Sequence, residues 1–311
     1  MSLLIVGTVA FDKIETPVSK TEKILGGAGT YIGIAASYFS DTTNILSVIG
    51  DDFPDKYYQT LHDHKINTDG IQIIKGGKTF FWEGKYHADM NKRDTLTTEL
   101  NVLAEFNPIV PDNYQNCEFL MLGNLDPNIQ RKVLKQLKKR PKLVVLDTMN
   151  FWMDIAWDAL LETIKMVDVL TINDEEARQM SSEYSLVKAA RKILTMGPKY
   201  LIIKKGEHGA LLFHNEENCF FAPALPIEEV FDPTGAGDTF AGGFIGYLTK
   251  TKDLSFENMK RAVIYGSALA SLTVEKFGTD KIAYLKSDEL NDRLFKFKDL
   301  VEVDIKNLDK F

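Results

Sequence analysis

Between residues 118 and 205 four short apolar runs recur: EFLMLG (Glu118 to Gly123), LVVLD (Leu143 to Asp147), VDVLTIN (Val167 to Asn173) and YLIIKK (Tyr200 to Lys205). None alternates polar with apolar residues, so each reads as a strand covered on both faces. Helical patterns lie between them. Pro127 to Lys139 places Ile129, Val133, Leu134 and Leu137 on one stripe, and Leu186 to Met196 does so with Ala190, Ile193 and Leu194. Strands that alternate with helices of this length form right-handed βαβ units, which predicts an α/β fold: a doubly wound, mostly parallel sheet flanked by helices. Leu3 to Val9 and Ile45 to Ile49 join the same sheet by composition.

The segment from Ile71 to Leu103 breaks this pattern, because Thr, aromatic and charged residues mix without a helical stripe. It predicts a small, partly exposed sheet of antiparallel strands, which either covers a site or forms a peripheral edge. No linker, repeat or low-complexity tract divides the 311 residues, so one α/β domain over 1–311 is expected. The basic run from Lys135 to Lys142 reads as a solvated helix end. With 37 basic against 44 acidic side chains, a net charge of −7 and no basic block, nucleic acid and anionic membranes are poor partners. The opening MSLLIVGTVAF is too short for a membrane span and reads as a buried strand, with no targeting segment visible. Two cysteines, Cys117 and Cys219, build no disulfide framework, and a cytoplasmic location is expected.

The segment FDPTGAGDTFAGGFIGYL (Phe231 to Leu248) carries the chemistry. Phe240, Ala241, Phe244, Ile245 and Leu248 fall at helical spacing, so Gly235, Ala236 and Gly237 stand at a helix N-terminus with free amides. Such a turn receives anions, and its glycines let a ligand approach the backbone. Asp238 then has two readings. It is a favourable charge in a first helical turn, or a general base beside a phosphoryl site.

Four stretches in order resemble the PfkB carbohydrate kinases, the ribokinase-like family. FDPTGAGDTFAGG is similar to the signature D-T-x-G-A-G-D-x-F, and Gly26-Gly27 in ILGGAGTYIGIAAS to the N-terminal GG motif. Asn173-Asp174-Glu175-Glu176 is similar to N-x-x-E, and Lys205-Gly206-Glu207-His208-Gly209 to K-G-x-x-G. Asp12, five residues after Gly7, resembles the family's sugar-contacting Asp. The resemblance implies a ribokinase-like fold with a small β-sheet lid formed by about 11–25 and 71–103. It implies an ATP-dependent kinase that phosphorylates a hydroxyl, a primary CH₂OH, of a sugar, with a nucleoside kinase or a non-catalytic binding member of the same fold as alternatives.

Carried onto this chain, the resemblance makes Asp238 the catalytic base and Gly235, Ala236 and Gly237 the anion hole. Asp12, Gly26, Gly27, Tyr31 and Asn124 would hold the substrate. Asn173, Glu176, Lys205, Gly206, Gly209, Ser267 and Ser271, with Ala268 beside them, would hold the nucleotide. Glu176 would hold Mg²⁺ through water, and Asp232 and Thr234 match positions that in many members hold a monovalent cation, with K⁺ the candidate ion. Two lids often pair such chains into a homodimer. Each role has a structural alternative: a helix cap for Asn173 and Glu176, a turn built on Pro233 for Asp232 and Thr234, helix packing for Ser267 and Ser271, and a strand-end turn for Asn124.

Departures from the family bear on the acceptor. Ala10 and Tyr31 stand where ribose-binding members carry Asn, which removes two amide contacts to sugar hydroxyls worth about 1 kcal/mol each. Tyr31 and Phe80, Phe81 and Trp82 are able to stack on a sugar or a base, or to serve as core. Asp147 and Asn150 resemble the family's D-P-N strand end, without its Pro. Gly76-Gly77-Lys78-Thr79 is not a P-loop, because Gln72 stands at the required first glycine. A dinucleotide fingerprint is absent, and His62, His64, His87, His208 and His214 lack metal-ligand spacing.

Overall fold

A computed structural model describes residues 2–215 and 218–302 of the chain. In order its elements are β1 (Leu3–Val6), β2 (Ala10–Glu15), β3 (Ile24–Gly26), α1 (Ala28–Ser37), β4 (Thr43–Gly50), α2 (Asp55–Asp63), β5 (Ile66–Ile74), β6 (Phe81–Tyr86) and β7 (Arg93–Glu99). They continue as β8 (Phe119–Leu122), α3 (Pro127–Gln136), β9 (Leu143–Asp147), α4 (Asn150–Ile155), α5 (Trp157–Ile164), β10 (Val169–Asn173), α6 (Asp174–Ser181), α7 (Leu186–Leu194) and β11 (Tyr200–Lys204). The rest are β12 (Ala210–His214), β13 (Asn218–Ala222), α8 (Ala236–Thr251), α9 (Phe256–Thr273), α10 (Asp280–Ala283) and α11 (Ser287–Val301).

A nine-stranded sheet in the order β13-β12-β11-β10-β9-β8-β1-β4-β5 forms the centre. From β5 to β11 every pairing is parallel, and β12 and β13 close one edge antiparallel. The period of two sends alternate residues to opposite faces. Leu4, Val6, Leu120 and Leu122 pack under α3, α5, α6 and α7, with Val133, Leu160, Met180 and Ile193. Leu3, Ile5, Phe119 and Met121 pack under α1, α8 and α9, with Ile32, Phe244 and Val263. Burial on both sides is why the four runs carry no polar alternation.

A second, four-stranded sheet in the order β3-β2-β6-β7 stands apart from the first. Two expectations are corrected there. Ile71 to Ile74 belong to β5 and extend the large sheet parallel to β4, because Ile71 packs with Ile45 and Ile49 in the core. The small sheet is also mixed, since β2 and β6 run parallel while the other two pairs are antiparallel. The first helix of the pattern ends earlier than its periodicity, at Gln136, because Leu137 turns extended and the Lys138 amide pairs with the Gln115 carbonyl. Gly7, Gly123, Asp147, Asn173 and Lys205 all stand at or one residue past a strand's C-terminal end. In a doubly wound sheet that edge is the binding crevice.

Candidate active site

The loop before α8 is fixed by one buried carboxylate. Asp232, fully buried, accepts the Thr234 amide on Oδ1 at 2.8 Å and the Gly278 amide on Oδ2 at 2.8 Å. Gly235 follows at φ +74, in the left-handed region, and a Cβ there would stand 2.4 Å from the Tyr31 ring. Its lack of a side chain therefore permits both the turn and the aromatic contact. Among the described residues no carbonyl accepts from the Gly235, Gly237 or Asp238 amides. The Ala236 amide differs from expectation, because it donates to the Pro233 carbonyl at 3.2 Å and so closes the turn. Three bare N–H groups remain at the start of a 16-residue helix, where the dipole adds partial positive charge.

Asp238 lies in this first turn, half-buried and without a side-chain hydrogen bond among the described residues. Burial, and secondly the negative charge of Asp147, push its carboxyl up to about 7, while Lys204 and Arg93 act in the opposite direction. An unpartnered carboxyl near neutrality is suited to accept a proton.

Across the strand ends, β10 and β11 bring two side chains to one carboxylate oxygen of β9. Lys204 Nζ and Thr171 Oγ1 both donate to Asp147 Oδ1, at 2.7 and 2.6 Å. Asn173 and Glu176 form a reciprocal capping box at 2.8 and 2.7 Å, so the helix-cap alternative is realised. The cap uses one polar end of each, leaving Asn173 Nδ2 and Glu176 Oε1 without a partner among the described residues. Burial pushes Glu176 up to about 7, against the Lys204 charge. The turn after β11 is closed by the Lys205 amide on the Gly209 carbonyl at 2.8 Å. Gly209 has φ +81, and a Cβ there would meet the Ala222 carbonyl at 2.1 Å.

Opposite α8, Asp12 on β2 is buried and pushed up to about 7 by burial and then by Asp232, against a hydrogen bond from the Gly27 amide. Gly27 has φ +91 and opens α1, whose first two amides are taken by the Thr8 hydroxyl and carbonyl at 2.9 and 2.8 Å. The Tyr31 hydroxyl is buried with no partner among the described residues, and the charges of Asp12, Asp232 and Asp238 reach it. The small sheet faces this group: the Thr234 hydroxyl donates to the Tyr86 hydroxyl at 3.1 Å, and Asn91, in the β6–β7 turn, donates to Glu207 at 3.2 Å. The Asp238 carboxyl thus stands in the turn with the bare amides, where its charge acts on Asp12 and the charges of Asp147 and Lys204 at the strand ends act on it.

The pfkB family carbohydrate kinase model matches residues 4–284. The chain belongs to this family. It is therefore a phosphotransferase acting on an alcohol group, with ATP as the family's phosphoryl donor. The chain is 30% identical over 258 residues to a cytidine kinase of Thermococcus kodakarensis, covering 82% of this chain and 91% of that protein. A nucleoside kinase of Methanothermobacter thermautotrophicus is 23% identical over 290 residues, covering 89% and 90%. The crystal structure of the Methanocaldococcus jannaschii nucleoside kinase, an archaeal member of the ribokinase family, superposes with a TM-score of 0.76 at 23% identity, over 95% of this chain and 98% of that one. Arabidopsis thaliana ribokinase complexed with ribose and ATP superposes with a TM-score of 0.75 at 20% identity, over 94% and 98%. The fold is ribokinase-like.

Against this pfkB framework several positions differ from the sequence expectation. Asn124 is occupied at both ends, donating to Met149 Sδ at 3.0 Å and accepting from Trp152 Nε1 at 2.8 Å, so it ties β8 to α4. The Ser271 hydroxyl donates to the Ala268 carbonyl and accepts from Arg293 of α11, which is helix packing. Ala268 is core, and Ser267 is half-buried. Lys205 extends over the Phe221 ring at the sheet edge. Phe81 is core, and Trp82 donates to Thr95 within the small sheet.

Three residues were not singled out from the sequence: Lys204, Tyr86 and Arg93. Lys204 is picked out by strand register, since β10 and β11 pair Asn173 with Lys204 and place the lysine level with the N-x-x-E motif. Tyr86 and Arg93 pair across a hairpin whose register the sequence does not specify. The positive charge of Arg93 favours the ionised forms of Asp12, Glu176 and Asp238.

Proposed function

We propose that this kinase transfers the γ-phosphoryl of ATP to the primary hydroxyl of a nucleoside or a free pentose, with the nucleoside the better substrate. The observation that carries the transfer step is the unpartnered Asp238 carboxyl, at about 7, in the same helical turn as the bare Gly235 and Gly237 amides. Asp238 takes the proton of the acceptor hydroxyl. The acceptor oxygen forms a bond to the γ-phosphorus, the bond from that phosphorus to the bridging oxygen breaks, and ADP leaves with the electron pair. The helix-terminal amides stabilise the charge spread over the transferring group. The preference for a nucleoside is supported by the likeness to the Thermococcus kodakarensis cytidine kinase and by Tyr31 in place of an amide that would hold ribose.

Asp12, Gly26, Gly27 and Tyr31 hold the acceptor, with the small sheet as a lid that excludes water. Asn173, Glu176 and the turn at Lys205, Gly206 and Gly209 hold the nucleotide, with Ser267 on its far wall. Magnesium fits the free oxygen of Glu176, a hard donor. Among the described residues no group of three or more His, Cys, Asp or Glu gathers to hold a metal, so phosphate oxygens and water would supply most ligands, with Glu176 acting through water. The ion would offset phosphate charge. Asp232, buried and without a cationic partner among the described residues, with Thr234 beside it, suits a monovalent cation such as K⁺. The exposed Leu96 and Leu100 at the rim of the lid support pairing of two copies there. Among the described residues no helix is long and apolar enough to cross a membrane.

A panel of nucleosides, ribose and hexoses with ADP release as the readout tests this. The highest kcat/KM is expected with a nucleoside. Ligand binding without ADP release from any member would favour a non-catalytic binding protein instead.

A further inference from the structure

Lys204 ends β11 one residue before the K-G-x-x-G turn, and its environment is unlike that of the turn lysine. Its side chain is 17% exposed and ion-paired to Asp147, itself 8% exposed, at 2.7 Å. A Cβ at Gly237 would stand 3.2 Å from the Lys204 ammonium and meets no closer atom. The ammonium therefore abuts the helical turn whose amides are bare, and the glycine at 237 leaves nothing between them. We propose that Lys204 is a phosphate-binding residue, its ammonium shared with Asp147 in the free enzyme and with an oxygen of the nucleotide's terminal phosphates in the complex. This rests on the phosphotransfer reading given above.

Three observations favour that role over a purely structural ion pair. The ammonium makes one hydrogen bond among the described residues, so two of its N–H donors are uncommitted. Asp147 Oδ1 already takes a second donor, the Thr171 hydroxyl, so the carboxylate keeps a hydrogen bond when the ammonium turns toward a ligand. Asp147, Glu176 and Asp238 surround a site that must admit a polyanion, and Lys204 is the cation buried among them. Burial alone would pull the ammonium down, yet Asp147 and Glu176 hold it above the ordinary lysine range, so it is charged at neutral pH. A cation already held beside the anion hole needs little rearrangement when the phosphates arrive.

The test is calorimetric titration of ATP and of adenosine, without acceptor, into wild type, Lys204→Met, Lys204→Arg and the charge-neutral double variant Asp147→Asn/Lys204→Met. Lys204→Met is expected to weaken ATP about 10-fold or more while adenosine stays within twofold. Lys204→Arg should recover most of the loss. The double variant, which leaves no buried unpaired carboxylate, should retain it, and decides the matter should Lys204→Met fail to fold. ATP affinity restored to wild type in the double variant would show that Lys204 serves only to neutralise Asp147, and would overturn the proposal. Equal weakening of ATP and adenosine would overturn it too. Wild type that binds no ATP would instead remove the phosphotransfer reading beneath it.

Discussion

The Asp12 carboxylate lies where a side chain at Gly26 would stand: a Cβ built on Gly26 falls 2.0 Å from Oδ2 and 2.2 Å from Cγ of Asp12. The GG motif is thus a steric provision for a carboxylate. Gly26→Ala must displace Asp12, and its effect should fall on the acceptor. The expected outcome is an acceptor KM raised about 10-fold or more with the ATP KM within twofold, measured by steady-state kinetics with each substrate varied. An ATP KM that rises equally would place Asp12 outside the acceptor pocket.

The small sheet, the proposed lid, touches the loop before α8 through Tyr86 on Thr234 and the turn after β11 through Asn91 on Glu207. The second contact joins the hairpin tip to the turn proposed to hold the nucleotide. Each of these bonds is worth about 1 kcal/mol. Asn91→Ala is accordingly expected to raise the ATP KM roughly threefold to fivefold, and to speed proteolysis within the β6–β7 hairpin. Unchanged proteolysis would mean that the tip does not hold the small sheet down.

The carboxyl of Asp238, at about 7 in the fold against an ordinary value of 3.8, makes two opposite pH dependences. In the proposed mechanism catalysis needs the ionised form, so kcat/KM should fall with acid below about pH 7. Stability runs the other way. A raised folded-state value contributes stability that is complete below about 3.8 and lost as pH rises through about 7. Asp238→Asn should therefore melt at the wild-type temperature at pH 4 and roughly 2–6 °C above it at pH 8. Scanning calorimetry at the two pH values checks the sign, and a variant less stable at pH 8 contradicts it.

Much of this was legible because a parallel sheet writes itself into sequence as unbroken apolar runs. Leu143 to Asp147 and Tyr200 to Lys205 announced both their strands and the crevice at their ends. The small sheet was less legible. Nothing in the composition of Ile71 to Ile74 shows that they extend the large sheet, since edge strands mix burial with exposure and pairing partners are remote in sequence. Motif matching found Lys205 and passed over Lys204, although only strand register tells which lysine reaches Asp147. It also placed Ala236 in the anion hole, where backbone geometry gives that amide to Pro233. Side chains such as Asn124 and Ser271 have two chemically sound uses, and tertiary packing chose the structural one in each.

The claim on which the rest depends is that Asp238 removes the acceptor's proton. Asp238→Asn keeps the shape of the helical turn and removes the base. Measured with the best acceptor of the panel at saturating MgATP, its kcat should fall by about 10²–10⁴ while the ATP dissociation constant stays within a few-fold of wild type. Turnover within a factor of ten of wild type would contradict the account and assign the proton to another group.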